Sequence, residues 1–280
     1  MRVFVTGVSG QLGWDVCREL ARRGIEYRGV SSGDLDIRDA GAVERMLTGY
    51  APDAVIHCAA WTKVDAAEDE QDACRAVNAQ GTDNIARVCR QLDCKLVYIS
   101  TDYVFSGEGS VPFAPDDPTA PRNVYGETKL AGEYAVKAAT DKYFIVRISW
   151  VFGKNGSNFV KTMLRLSETH PELSVVADQI GSPTYTADLA PLLCDMVATE
   201  KYGTYHATNE GFCSWAEFAE EIFRQSGRTV KVRPIPTEAY PTRAVRPKNS
   251  RMGKDKLEEN GFSRLPPWQD ALKRYLKELE

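Results

Sequence analysis

A chain of 280 residues, 43% hydrophobic and 26% charged, has the composition of a water-exposed globule, large enough for one big core or for a large domain with a smaller companion. No stretch approaches eighteen uninterrupted apolar residues, which excludes a transmembrane helix, and a formal net charge of -4 with lysine and arginine spread along the chain leaves no nucleic-acid footprint. Seven scattered cysteines without a Cys-x-x-Cys pair, three distant histidines and a first strand that begins at Arg2 predict free thiols, no metal site of the structural zinc kind and no signal peptide, hence a cytoplasmic protein.

Residues 2–6 are a short apolar run, and glycines at 7, 10 and 13 lead into an amphipathic stretch over 11–23; this predicts strand, tight turn, helix. A second strand is expected at 25–30 and a helix at 40–47. Residues 53–60 read as a buried strand ending in small residues, 72–92 as a helix and 95–100 as a strand. Strands and helices alternating at this spacing predict an α/β fold, a doubly wound parallel sheet of the Rossmann-like kind. The segment 106–122 is rich in glycine, proline and acidic residues, and so long a loop in a compact domain is expected to wall an active site. A helix at 124–140, a strand at 143–149, a loop at 153–157, a helix at 159–169 and a short strand at 174–176 follow. Ser214 is a plausible N-cap for a helix at 215–226, a proline-rich stretch spans 234–247, and 267–279 is a polar helix. Residues 1–154 are read as a dinucleotide-binding domain that also carries the catalytic residues. Residues 155–280 are read as mainly a smaller C-terminal substrate-binding subdomain, with some elements returning to the main sheet.

Thr6-Gly7-Val8-Ser9-Gly10-Gln11-Leu12-Gly13 sets three glycines after a strand and at the start of a helix. The first permits the tight turn, the second the approach of a pyrophosphate and the third close helix–sheet contact, while the helix N-terminus offers free N–H groups to phosphate. The second strand ends at Val30-Ser31-Ser32, with Asp34 and Asp36 a few residues later. Without a carboxylate at the strand end, NADP is permitted beside NAD, and the balance leans to NADPH, with Arg28 as a source of positive charge. Asp34–Asp39 reads equally as a solvated loop capping the next helix.

Tyr125 and Lys129 lie four apart on one helical face, so the ammonium is expected near the phenol, lowering its pKa. Neutral Tyr125 would then give a proton to a carbonyl oxygen as hydride reaches carbon. Thr101, at the end of the strand 95–100, would hold that oxygen.

These residues carry a resemblance to the extended short-chain dehydrogenase/reductase family. The general likeness rests on Thr6–Gly13, Ala59-Ala60, Asn78, Thr101, Tyr125 and Lys129. A closer likeness to sugar-nucleotide reductases rests on Gly10-Gln11-Leu12-Gly13, Asp34-Leu35-Asp36-Ile37, Val64-Asp65-Ala66-Ala67-Glu68, Ser100-Thr101-Asp102-Tyr103-Val104-Phe105, Gly181-Ser182-Pro183-Thr184 and Arg246-Pro247-x-Asn249-Ser250. The resemblance implies a catalytic set of Thr101, Tyr125 and Lys129, and a dinucleotide facing Gly7, Gly10, Gln11, Leu12 and Asp36, with Ala59, Ala60 and Lys129 near its ribose and nicotinamide. It implies sugar contacts from Val64, Tyr103 and Trp150, and an approach of Arg246 and Asn249 to the nucleotide diphosphate. The implied reaction is NAD(P)H-dependent reduction of C4 of dTDP-4-dehydro-L-rhamnose. Related dehydratases carry Thr-Asp-Glu where this chain has Thr101-Asp102-Tyr103, so the acid that assists water elimination is missing. Mg2+ at a homodimer contact is implied by resemblance only, with no ligands identifiable. Another sugar-nucleotide reductase or an epimerase stays open as an alternative, as does a noncatalytic cofactor-binding regulatory subunit.

Overall fold

The computed structural model describes residues 1–280. Five strands alternate with helices through the first half: β1 (Arg2–Thr6), β2 (Glu26–Val30), β3 (Ala54–His57), β4 (Lys95–Thr101) and β5 (Tyr143–Ile148), with α1 (Gln11–Arg22), α2 (Ala40–Tyr50), α3 (Val64–Asp69), α4 (Gln71–Arg75), α5 (Thr82–Gln91) and α6 (Val124–Ala139) between them. Short strands β6 (Val151–Phe152), β7 (Glu172–Val176), β8 (Ile180–Gly181) and β9 (Thr184–Tyr185) follow, together with α7 (Phe159–Leu166) and α8 (Thr186–Val197). The remainder holds β10 (Gly203–His206), β11 (Asn209–Glu210), β12 (Cys213–Ser214), α9 (Trp215–Gln225), β13 (Lys231–Ile235), β14 (Asn249–Ser250), α10 (Asp255–Glu259), β15 (Leu265–Pro267) and α11 (Trp268–Leu279).

Six strands form one sheet in the order β10-β5-β4-β3-β1-β2, every neighbour pair parallel. Alternate residues of the strands feed two separate cores, as the period of two requires. Val3, Val5, Ile56, Val97 and Val146 pack against α1 and α8 on one face, while Phe4, Val55, Leu96, Tyr98 and Ile145 meet α2, α5 and α6 on the other. A third core around Phe152, Phe218, Leu272 and Tyr275 joins α7, α9 and α11 and stands on the side where the strands end.

Helix α8 and strand β10 go beyond the sequence reading. Pro191 interrupts the helical pattern of α8, and its residues are buried nearly all round (Leu189, Ala190, Leu192, Leu193, Met196 and Val197), so no amphipathic stripe marks it. The helix expected over 72–92 is divided by a π-helical turn at Ala76–Gly81 and preceded by the separate α3. π turns of this kind gather at functional sites, and this one carries Asn78. Its buried side chain bonds the backbone of Trp61 on both sides, 2.8 and 3.1 Å, and the Thr128 hydroxyl, 3.1 Å. The chain that leaves β3 is thereby fastened to α6. No helix is long and apolar enough to cross a membrane.

Candidate active site

At the C-terminal ends of β1, β3, β4 and β5 lies a cavity of about 660 Å3, where open parallel sheets bind ligands. Gly7 turns with φ +73°, and a Cβ there would come within 2.6 Å of the Ala59 backbone nitrogen. A Cβ on Gly13 would run into the Gly7 carbonyl oxygen. Gly10 is the N-cap of α1 and makes no side-chain cap bond, so the first turn offers its free N–H groups to the cavity, a cradle of the shape and polarity that a pyrophosphate fits. Gly7, Gly10, Gln11, Leu12, Ala59 and Ala60 all line it. The cofactor expected from the glycine spacing therefore meets a backbone surface that side chains would block.

At the end of β2, Ser31, Ser32, Asp36 and Arg38 line the same cavity. Asp36 is not a free acceptor: both carboxylate oxygens take hydrogen bonds from the Arg38 guanidinium, 2.7 to 3.1 Å, and that arginine holds its pKa down at about 2. Asp34 accepts from the Ser31 amide and hydroxyl, and Asp39 caps α2 by accepting from the Ala42 amide. Positive charge comes from Arg38 rather than from Arg28, which is absent from the cavity wall. An arginine directly after the Asp36-Ile37 pair was the available signal.

Thr101, Tyr125 and Lys129 meet at the middle of the cavity. Asn123 caps α6 by accepting from the Gly126 amide at 2.8 Å, which fixes the first turn and Tyr125 on it. Gly126 lets that turn lie against the segment that follows β4, since a Cβ there would strike the Tyr103 carbonyl. Lys129 is buried; its ammonium donates to the Ile99 carbonyl at 2.6 Å and sits 4.1 Å from the centre of the Tyr98 ring. Burial pulls its pKa down to about 7, opposed by the carboxylate of Glu133.

The expected lowering of the Tyr125 pKa by Lys129 is corrected. Burial, then the Asp102 carboxylate, push the phenol above its ordinary value, with the Thr101 hydroxyl pulling the other way. The Lys129 ammonium is bonded to the carbonyl of Ile99 instead. Tyr125 is accordingly a neutral phenol at neutral pH. The Thr101 hydroxyl accepts from the Tyr103 amide and donates to Asp102 at 2.9 Å. Asp102 is buried and accepts from the Ser250 hydroxyl at 2.5 Å, and burial raises its pKa to about 6. Sequence reading passed over Asp102 because its partner Ser250 lies 148 residues away.

Val64, Tyr103 and Trp150 line the same cavity. The Tyr103 ring meets Tyr125 edge to face at 5.5 Å, and Trp150 adopts φ +50°, a left-handed conformation costing an L-residue roughly 1–2 kcal/mol. Arg246 is absent from the cavity wall; it pairs with Asp65 at 2.5 Å and lies 3.4 Å from the hydroxyl of Tyr103, which is in that wall. Asn249 is a different case and does not face the cavity. Its buried amide donates to the carbonyls of Glu108 and Val111, and its oxygen accepts from Arg251, so it fastens the loop that follows β4. No group of three or more His, Cys, Asp or Glu side chains is arranged to hold a metal, so the Mg2+ implied by the resemblance finds no ligand set within this chain.

The whole chain, residues 1–280, matches the family model described as RmlD substrate binding domain. It is 42% identical over 99% of its length to the spore coat polysaccharide biosynthesis protein SpsK of Bacillus subtilis, of which it covers 97%. It is likewise 42% identical over 97% of its length to a dTDP-4-dehydrorhamnose reductase of Streptomyces griseus, covering 91% of that protein. Among solved structures it is similar, with a TM-score of 0.97 and 45% identity over 99% of both chains, to the dTDP-4-dehydrorhamnose reductase of Bacillus anthracis in complex with NADP. The chain therefore belongs to the RmlD family, the dTDP-4-dehydrorhamnose reductases among the extended short-chain dehydrogenases/reductases.

Proposed function

We propose that this chain is an oxidoreductase that reduces the C4 ketone of dTDP-4-dehydro-L-rhamnose to dTDP-L-rhamnose with NADPH or NADH. The observation that carries the reading is a single cavity holding both the glycine cradle and the Thr101, Tyr125 and Lys129 side chains. When bound, the dinucleotide supplies the hydride. Tyr125, kept neutral by its surroundings, donates the proton to the C4 oxygen. Lys129, whose ammonium keeps N–H donors beyond the one given to Ile99, would hold the nicotinamide ribose by a hydrogen bond. Thr101 positions the carbonyl oxygen, and Val64, Tyr103 and Trp150 face the sugar. Arg246, beside Tyr103 and paired with Asp65, is a guanidinium of the kind that suits a diphosphate. Ser32 and the Arg38 nitrogen left over from its pairing with Asp36 favour NADPH over NADH, since a hydroxyl and a guanidinium suit a 2′-phosphate. Seven free thiols support a reducing, cytoplasmic setting.

The test is loss of absorbance at 340 nm when the protein, NADPH or NADH and freshly generated dTDP-4-dehydro-L-rhamnose are mixed, with the product identified. Stoichiometric consumption with formation of dTDP-L-rhamnose is expected. An epimerase would return the hydride to its substrate and consume none, and a regulatory subunit would show binding without turnover.

A further inference from the structure

Trp150 is the one wall residue other than glycine held in a left-handed backbone conformation, and for such a residue that conformation persists only where the surroundings over-determine it. The largest support is a second tryptophan outside the cavity. Trp215 lies face to face with Trp150, ring centres 3.7 Å apart and planes 15° from parallel. Trp215 is itself firmly held. It is the first residue of α9, whose N-cap Ser214 and Glu217 cap each other reciprocally at 3.1 and 2.6 Å. The Phe159 ring closes on it at 4.7 Å. Against the edge of Trp150 lies Gly181, where a Cβ would come within 2.9 Å of the indole, so the space the ring occupies exists only because that residue lacks a side chain. β8, which contains Gly181, pairs with β12, which ends at Ser214. Trp215 and Gly181 are thus two parts of one rigid support.

We propose that Trp215 is a positioning residue for the sugar nucleotide, acting by holding the Trp150 ring in the cavity wall. The proposal rests on the reading of Trp150 as a sugar contact. It goes beyond core packing in what it predicts. With the stacked partner gone, Trp150 relaxes out of its strained backbone, and the sugar side of the cavity loses its wall while the glycine cradle at the other end is untouched. Binding of the sugar nucleotide is affected and binding of the dinucleotide is not.

The experiment is a double-mutant cycle with Trp215→Leu, Trp150→Leu and the double variant, plus Trp215→Phe, each measured for kcat, for KM of the sugar nucleotide and for Kd of NADPH. Trp215→Leu should raise that KM roughly three- to tenfold, the range an aromatic pair is worth, with the NADPH Kd unchanged. Trp215→Phe should recover most of the loss. The double variant should be no worse than Trp150→Leu alone, because both act through one ring. An unchanged KM in a folded Trp215→Leu protein, or additive effects of the two substitutions, overturns the proposal. If Trp150→Leu itself leaves KM unaltered, the sugar-contact reading falls and takes the proposal with it; this outcome differs from failure of the stacking alone. Should Trp215→Leu not fold, Trp215→Phe replaces it in the cycle, with a smaller rise in KM expected and additivity again the contrary result.

Discussion

Tyr125 carries the heaviest chemical duty, and its environment suits a proton donor: buried against Tyr103, near Asp102 and above its ordinary pKa. Tyr125→Phe should retain NADPH binding and lose turnover by about 10²- to 10⁴-fold, as read by steady-state kinetics beside a binding titration. Asp102 offers a test through stability. Its folded-state pKa of about 6 exceeds the ordinary carboxylate value of 3.8, so the folded protein keeps the proton more tightly than the unfolded chain. The stability this contributes is complete below about pH 4 and is lost as pH rises through 6. Asp102→Asn removes the titration while keeping partners for Thr101 and Ser250. Its melting temperature relative to the parent should therefore climb between pH 4 and 6 and level off above; a flat difference across that window contradicts the burial argument.

At this scale the sequence disclosed residue types but not their partners. Tyr125 and Lys129 are legible because a helix places them on one face. That Lys129 bonds Ile99 instead of the phenol depends on how α6 lies against β4, which no local spacing encodes. Asn249 likewise stands in a recognisable motif, yet only the path of the loop around Gly107 shows that its amide is spent on backbone.

Helix α6 is the element that aims the site. Asn123 caps it and also donates to the Val245 carbonyl at 2.9 Å, tying the first turn to the segment before Arg246. Asn123→Ala should cost about 1 kcal/mol in chemical denaturation, the usual worth of a cap, and lower kcat as well, because the turn that frays holds Tyr125. Asn123→Asp keeps the cap but loses the donor to Val245 and sets a buried carboxylate oxygen against that carbonyl, so it should recover only part of the stability. Caps were among the most readable features: Ser214 was legible as the cap of α9, and the structure adds the reciprocal Glu217 bond. Helix α8 was not, since burial on almost every side erases the periodicity on which such reading depends.

For the molecule as a whole, the question is how the strand ends are held in register with the helix that faces them. Glu133 of α6 and Arg147 of β5 form a buried pair, with bonds of 2.8 and 2.7 Å, and Ser100 of β4 adds a third bond to the same carboxylate at 2.6 Å. Helix and two central strands are thereby joined directly beneath Lys129. Arg147→Met leaves Glu133 charged, buried and without its partner, and should cost about 3–5 kcal/mol in equilibrium unfolding; a loss below 1 kcal/mol would show that the network relaxes or admits water. The alternating pattern of the first half made the parallel sheet legible. That some later element returns to the main sheet was expected, but not that it is β10, because β10 has only four residues and pairs with β5 across a long sequence separation.

The central claim is that hydride and proton reach one sugar carbonyl inside the cavity bounded by the glycine turn and Tyr125. Its most direct measurement uses NADPH deuterated at C4 of the nicotinamide, with separate samples for the two faces of the ring, and dTDP-4-dehydro-L-rhamnose as acceptor, the product being read by NMR. The account predicts one deuterium at C4 of dTDP-L-rhamnose from one of the two labelled cofactors and none from the other. Product formed without label from either, or no product while the cofactor binds, would contradict it.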